Sequence, residues 1–472
     1  MEKAKRNITY KWVSMSVVAI GTLMSTLDMS AMSIILPNLE HYFQTGPDTV
    51  VWVWLIWLLI GSGLMLTLGR AGDTFGRKRL YTSGLAIFTL GLGLCSLAQS
   101  LIQLVIFRLI QALGAAMTIA TGNAIITAAF PSKERGKALG IIGAVGGLGL
   151  LSGPVLGGFF LNLLGWRSIF YLRLPFGIIS TAMAWALLKE QPSLEQKEKF
   201  DPLGATTLFL ALTCLLLAVN RGQSLGWFSP WVLSLGIVGM VLLFSFLVVE
   251  RRVAQPVLDL RLFLSRLFSV ASASHVFLYM STAAVSFLMP FYLIQGLGFN
   301  ASKAGLLLIT IPAISLVLSP LSGRLSDKLG TLFLCASGLT LASVGLFLLS
   351  GLESNASIGD IVLYLTIVGI GMGLFVPPNT SAIMGSVPTE RLGTASAMVA
   401  TLRHIGMSVG LAIAGSVFTA SRFSHATQLT SQGLPQDVVG KLSTIGGFND
   451  TIFVALIIAV IGLLVSVFRG KK

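Results

Sequence analysis

Residues 69–85 read GRAGDTFGRKRLYTSGL, and residues 323–339 read GRLSDKLGTLFLCASGL. Gly69, Arg70, Asp73 and Gly76 match Gly323, Arg324, Asp327 and Gly330 at a constant offset, 69 to 323. A second pair keeps the same order: FPSKERGKA from Phe130 and VPTERLGTA from Val387. One short match arises by chance, but two in one order at nearly one offset indicate an internal duplication. In both copies the glycines permit a tight turn and close backbone approach.

Outward from these turns the chain is apolar. Of its 472 residues 54% are hydrophobic and 11% charged, where a soluble chain carries about a quarter charged, so the chain falls in the membrane class. Fourteen apolar stretches lie near 12–36, 51–69, 80–98, 101–129, 138–163, 168–188, 203–220, 231–249, 267–294, 304–322, 332–350, 360–386, 394–421 and 451–468. Each is long enough to span a bilayer. The first copy of the turn follows the second stretch and the second copy follows the tenth, a shift of eight. Two six-helix halves in parallel repeat shift by six, so the seventh and eighth stretches are a surplus pair. The expected fold is an all-α integral membrane protein of two six-helix bundles plus two extra central helices. Residues 1–188 form the first bundle, 189–266 a linker with the extra pair, and 267–472 the second bundle.

The net charge of +14 suggests nucleic acid in a soluble chain, but its distribution answers differently. Of 32 Lys and Arg, 24 fall in the two termini and the loops after even-numbered stretches, and five in the loops after odd-numbered ones. The other three, Arg108, Arg173 and Arg403, lie inside stretches. The positive-inside rule puts both termini in the cytoplasm of a plasma-membrane protein, with no nucleic-acid partner. A lone cysteine at Ser354 is therefore expected to react with an impermeant maleimide in intact cells, and one at Ser132 to be protected. The reverse pattern overturns the topology. The basic start MEKAKRNITYK leads into a segment too long for a cleavable signal peptide. Cys95, Cys214 and Cys335 sit in apolar runs with no metal-ligand spacing.

The turn at Gly69 resembles the loop 2–3 signature of the major facilitator superfamily, G-x-x-x-D-R-x-G-R-K/R. Gly69, Asp73, Gly76, Arg77 and Lys78 match, and Thr74 replaces the usual Arg. The resemblance implies a gating latch between the two halves. GLGLLSGPVLGG (147–158) contains G-x-x-x-G-P-x-x-G-G as Gly149, Gly153, Pro154, Gly157 and Gly158, and it resembles the motif of the antiporter branches. Small residues four apart let a second helix pack closely, and Pro154 removes one backbone hydrogen bond. FRLIQALGAA resembles R-x-x-Q-G-x-G through Arg108 and Gln111, with Ala112 in place of Gly. STLDMSAMSIILP (25–37) resembles L-D-x-T-x-V-N-x-A-L-P, with Ser30 and Ser33 in place of Thr and Asn. In GWRSIFYLRLPFG, Arg173 replaces a usual Asn, and TLRHIGMSVG around Arg403 is similar to R-x-x-G-x-x-x-G. These motifs cover nearly the whole chain. With fourteen spans they resemble the drug:proton antiporter branch, the multidrug efflux transporters.

Asp28 is the one acid deep in a span, where a charge costs about 2.5–3.5 kcal/mol on insertion scales. Counted from Pro37 as the end of its helix, Asp28 lies about 13 Å deep, and Arg108 about 10 Å. The expectation is an Asp28–Arg108 proton-coupling pair, with Asp28, Gln111, Arg173 and Arg403 in a substrate cavity. The implied protein is a monomeric proton-coupled antiporter that exports lipophilic small molecules and uses the proton gradient in place of a cofactor. A transporter for one physiological solute and a non-transporting sensor are the alternatives. No P-loop, catalytic triad or metal cluster is present in the sequence, which argues against ATP-driven transport and against an enzyme. His275 and His404 read as structural. The run from Lys189 reads as a solvated linker, and residues 422–450 as the longest external loop.

Overall fold

A computed structural model of the chain describes residues 2–131, 134–190, 202–253, 260–387 and 392–468, and no strand occurs among them. The first part holds α1 (Glu2–Phe43), the single turn α2 (Pro47–Val50), α3 (Trp52–Phe75), α4 (Arg77–Ser96), α5 (Leu101–Ala129), α6 (Arg135–Leu164), the single turn α7 (Ser168–Tyr171) and α8 (Leu174–Leu187). Next come α9 (Pro202–Leu225) and α10 (Pro230–Arg252). The last part holds α11 (Arg266–Phe291), α12 (Ala301–Leu308), α13 (Thr310–Leu329), α14 (Thr331–Leu349), α15 (Ile358–Gly385), α16 (Leu392–Ser431) and α17 (Gln436–Val467). Most of the Lys189 run lies outside the described residues.

Local chemistry fixes many of the helix starts. Ser100, Ser229, Ser265 and Asn300 each accept the N–H three residues on, satisfying a donor the helix leaves free. Ser357 and Asp360 cap each other reciprocally. Gly76 ends α3 and opens α4 at φ 103°, and its repeat partner Gly330 does the same between α13 and α14 at φ 81°. Both angles lie in the region that glycine alone enters freely. The duplication extends into the packing. A Cβ on Gly84 of α4 would lie 3.0 Å from the Gly114 carbonyl of α5, and one on Gly338 of α14 would lie 2.7 Å from the Gly371 carbonyl of α15. The offset seen at the turns carries Gly84 to Gly338 and nearly carries Gly114 to Gly371.

Twelve helices among the described residues are long and apolar enough to cross a membrane. The sequence reading expects fourteen, and α4 and the apolar part of α9, Thr206–Gly222, stand outside the twelve. α4 opens on Arg77, Lys78 and Arg79 and interleaves Gly, Ser and Thr among its leucines. α9 runs for 24 residues and carries the apolar stretch Thr206–Gly222. α9 packs against α10 and also touches α3 and α16, one helix from each half. Asn220 of α9 accepts from Trp52 Nε1 at 2.9 Å and donates to the Asp48 carbonyl at 2.9 Å.

Two expectations are corrected. α1 does not stop at Pro37 but continues through it to Phe43, so Asp28 lies fifteen residues, about 22 Å, from that end. Residues 422–450 are no loop. α16 runs on to Ser431 and α17 begins at Gln436, and the two extensions are tied by the Asp450 carboxylate, which accepts from Ser421 and pairs with His425 at 3.0 Å.

The halves meet at one end. Glu40 of α1 accepts from Arg422 of α16 at 2.8 Å and from Gln295, in the turn Tyr292–Gly296 that follows α11, at 2.6 Å. The Asp48 amide donates to Thr419 at 3.2 Å, and Ser302 of α12 donates to the Gly158 carbonyl at 3.3 Å. These contacts all lie at the end of the odd-numbered loops, and His404 of α16 also meets the Gly61 backbone of α3 farther along the helices.

Candidate functional site

The acid deep in α1 is clamped. Asp28 Oδ2 accepts from Arg108 Nη1 at 2.6 Å, Oδ1 accepts from Gln111 Nε2 at 3.0 Å, and Arg173 Nη1 lies 2.7 Å from Oδ1. Arg108 and Gln111 stand one helical turn apart on α5, so one face presents both. Arg173 reaches in from the kink between α7 and α8. Arg108 Nε donates to the Val53 carbonyl at 3.1 Å, and its guanidinium lies over the Trp57 ring at 5.0 Å. Asp28 and Arg108 are fully buried. One carboxylate against two guanidiniums leaves the cluster one positive charge in excess. In a low-dielectric interior such a cluster is stable only while each group keeps its partner.

Helix periodicity decides what this cluster faces. Thr26, Met29, Ser30 and Ser33 share one face of α1 and line a central cavity of about 350 Å³ between the halves. Asp28 lies off that face and turns into the first bundle. Asp28, Gln111 and Arg173, expected in a substrate cavity, are not among the residues that line this one. Arg403 of α16 does line it, with Trp54, Tyr279, Thr282 and Met407. Tyr279 and Trp54 carried no signal in the sequence beyond being aromatic. His275 packs edge-on to Tyr279 at 4.8 Å, with Asn379 Nδ2 3.4 Å from its ring, and His404 packs against Gly61 of α3.

The glycines of α6 form a seam. A Cβ on Gly149 would lie 3.0 Å from the Leu23 carbonyl, on Gly153 2.8 Å from the Ala31 amide, and on Gly157 2.9 Å from Ile34 Cγ2, all on α1. Gly158 faces the other way, where a Cβ would lie 2.9 Å from the Ala301 carbonyl carbon of α12. Gly305 of α12 returns the contact at the carbonyl of Pro154. The motif therefore holds α1 and α12 against α6 at the end where the halves meet.

At the opposite end the turn motif is partly visible. A Cβ on Gly69 would lie 3.9 Å from the Ala120 carbonyl, Arg77 Nη1 donates to the Ala124 carbonyl at 3.5 Å, and Arg79 pairs with Glu190 at 3.7 Å. Lys78 is partly exposed. The Asp73 side chain, centre of the expected latch, lies outside the described ones. No group of His, Cys, Asp or Glu suited to a metal occurs among the described residues.

Residues 18–411 match the family model described as Major Facilitator Superfamily. The chain is 33% identical over 462 residues to the riboflavin transporter RibZ of Clostridioides difficile, covering 98% of each. It is 32% identical over 402 residues to the multidrug resistance protein Stp of Mycobacterium tuberculosis, covering 85% of this chain and 74% of that one. Among solved structures it superposes on a bacterial homolog of the human lysosomal transporter Spinster, inward-facing and unoccupied, with TM-score 0.74 at 17% identity, covering 98% and 97%.

Proposed function

The chain belongs to the major facilitator superfamily, a multi-pass membrane transporter and not an enzyme, and on that premise we propose that it is a proton-coupled antiporter exporting amphipathic small molecules by alternating access. The observation that carries this reading is the Asp28–Arg108–Arg173 cluster. It is the one buried carboxylate deep in a described span, it bonds a helix that lines the cavity, and its ion pairs differ between an ionised and a protonated acid. α1 joins the two sites: Asp28 faces the cluster, and Met29 and Ser30 face the cavity. Movement of α1 on substrate binding then shifts Asp28 against its arginines, which is the differential contact that coupling requires.

In this reading α4 and α9 also cross the membrane, giving the fourteen spans of the drug:proton branch, with α9 and α10 as the surplus pair between the bundles. Both termini are cytoplasmic in the plasma membrane. The closed end is then external, and Gly149–Gly158 with the Glu40–Arg422–Gln295 contact seals it. The cavity faces inward, ready to load substrate for export. Asp73, in the basic turn at the cytoplasmic end, latches the halves in the opposite state.

A second reading is a transporter dedicated to one solute. The likeness to RibZ along 98% of both chains favours it and makes a flavin a candidate substrate. Dye accumulation in an efflux-deficient host separates the readings. The exporter lowers cellular levels of several unrelated lipophilic dyes, and a protonophore restores them. A flavin-only effect supports the dedicated transporter, and reduced dye levels that persist with the protonophore sink proton coupling.

A further inference from the structure

Among the described residues the wall of the central cavity carries no carboxylate. Its one ionisable cation is Arg403, and no ion pair engages it among the described residues. The titratable groups beside Arg403 are His275, Tyr279 and His404, none of them an acid. Asp28 is taken by Arg108 and Arg173 and is sealed from the cavity. Among the described residues Arg403 Nε has no hydrogen-bond partner, although its guanidinium bonds Tyr279, and Trp54 Nε1 on the opposite wall has none. Both groups are donors only. A cavity of about 350 Å³ thus places a guanidinium that has a Tyr279 hydroxyl beside it but no counter-charge, and an unmatched indole N–H, on helices from opposite halves. Hydroxyls of Ser30, Thr282 and Ser286 and the apolar face of Met407 complete the surface.

A partly buried guanidinium without a counter-charge is unfavourable, and a planar anion relieves it through paired, charge-assisted hydrogen bonds. A cation meets like charge there and finds no acid to answer it. Aromatic and thioether walls suit a flat ring system, and the volume lies within the range of small-molecule sites. Resting on the exporter reading, we propose that Arg403 anchors the substrate and that the substrate class is flat aromatic compounds with an anionic or strongly hydrogen-bond-accepting edge. Trp54 supplies the facing donor. Closure of the halves then brings both donors onto one molecule, so binding of an acceptor-bearing ligand favours the occluded state.

The test uses two dyes with the same xanthene plane: fluorescein, an anion at neutral pH, and rhodamine 6G, an esterified cation. Equilibrium binding to the purified full-length protein in lipid nanodiscs is read by dye anisotropy, and transport is read in proteoliposomes. Wild-type protein is expected to bind fluorescein more tightly than rhodamine 6G. Arg403→Gln is expected to weaken fluorescein about tenfold, the worth of one charged hydrogen bond, with no loss for rhodamine 6G, and Arg403→Lys to recover part. Trp54→Phe keeps a ring, loses the donor and weakens fluorescein alone, which serves should Arg403→Gln not fold. Tighter rhodamine binding by the wild type, no binding of either dye, or an unchanged ratio in Arg403→Gln overturns the proposal. Selective fluorescein binding without dye movement supports the anchor and counts against the exporter reading instead.

Discussion

Asp28→Asn is expected to remove the proton drive and leave a passive pathway. With one proton exchanged per substrate, a gradient of one pH unit sustains about a tenfold substrate ratio, and the variant relaxes to a ratio of about one. The geometry also warns of a structural effect. Asn leaves Arg108 and Arg173 in the interior without the carboxylate that binds both, and breaking a buried pair on one side destabilises by about 3–5 kcal/mol. Asp28→Asn combined with Arg173→Gln removes one charge of each sign and separates folding from coupling. The double variant is expected to purify as a monodisperse species, to move substrate downhill and to show no response to pH. Asp28→Glu keeps the carboxylate, adds a methylene to a closed site, and retains part of the drive. A cluster that only fixes helix packing gives a different outcome: the double variant, once folded, exports uphill as well as the wild type.

Gly153→Ala is expected to cut downhill dye flux severely, through packing alone. The new methyl would meet Ser30 Oγ and stand 2.8 Å from the Ala31 amide and 2.9 Å from the Leu27 carbonyl. The latter two are backbone atoms of α1, which move only if the helix moves. Overpacking of this kind costs about 1–3 kcal/mol, and as a shift between two conformations that is about 5–150-fold in population. Gly143 lies on the same helix, and nothing stands within 4 Å of a Cβ there. Gly143→Ala is therefore expected to transport like the wild type. Initial rates in vesicles at matched protein levels decide the matter, and equal rates for the two variants would remove the seam from the mechanism.

The features legible in the sequence were those carried by residue types with one strong physical preference. The glycine turns at 76 and 330 announced the duplication because only glycine enters those angles easily. The seam on α6 was legible because small residues four apart have few other uses in a membrane helix. The acid in α1 stood out by cost. Its direction did not, because a shift of one residue along a helix turns a side chain by about 100°. Hence Ser30 faces the cavity while Asp28 faces Arg108. Pro37 misled as a helix end. It removes one N–H, but α1 carries on past it, and the Pro37 carbonyl accepts from Gln295 at 3.4 Å. The polar stretch after Arg422 resembled a loop because it leaves the hydrocarbon, yet its Ala, Gln and Leu are sound helix formers, and α16 continues. Partners far apart in the chain, such as Glu40 with Gln295 and Arg422, leave no local pattern to read.

Proton movement measured during substrate flux tests the central claim most directly. Proteoliposomes holding the full chain and a trapped pH-sensitive dye, with no initial pH difference, are given an outward-to-inward substrate gradient. The account predicts that wild-type protein drives protons against the substrate and builds a pH difference of opposite sense, collapsed by a protonophore. It also predicts that the Asp28→Asn, Arg173→Gln protein passes substrate without moving protons. Substrate flux through the wild type with no change in internal pH, or proton counterflow that survives in the double variant, would contradict it.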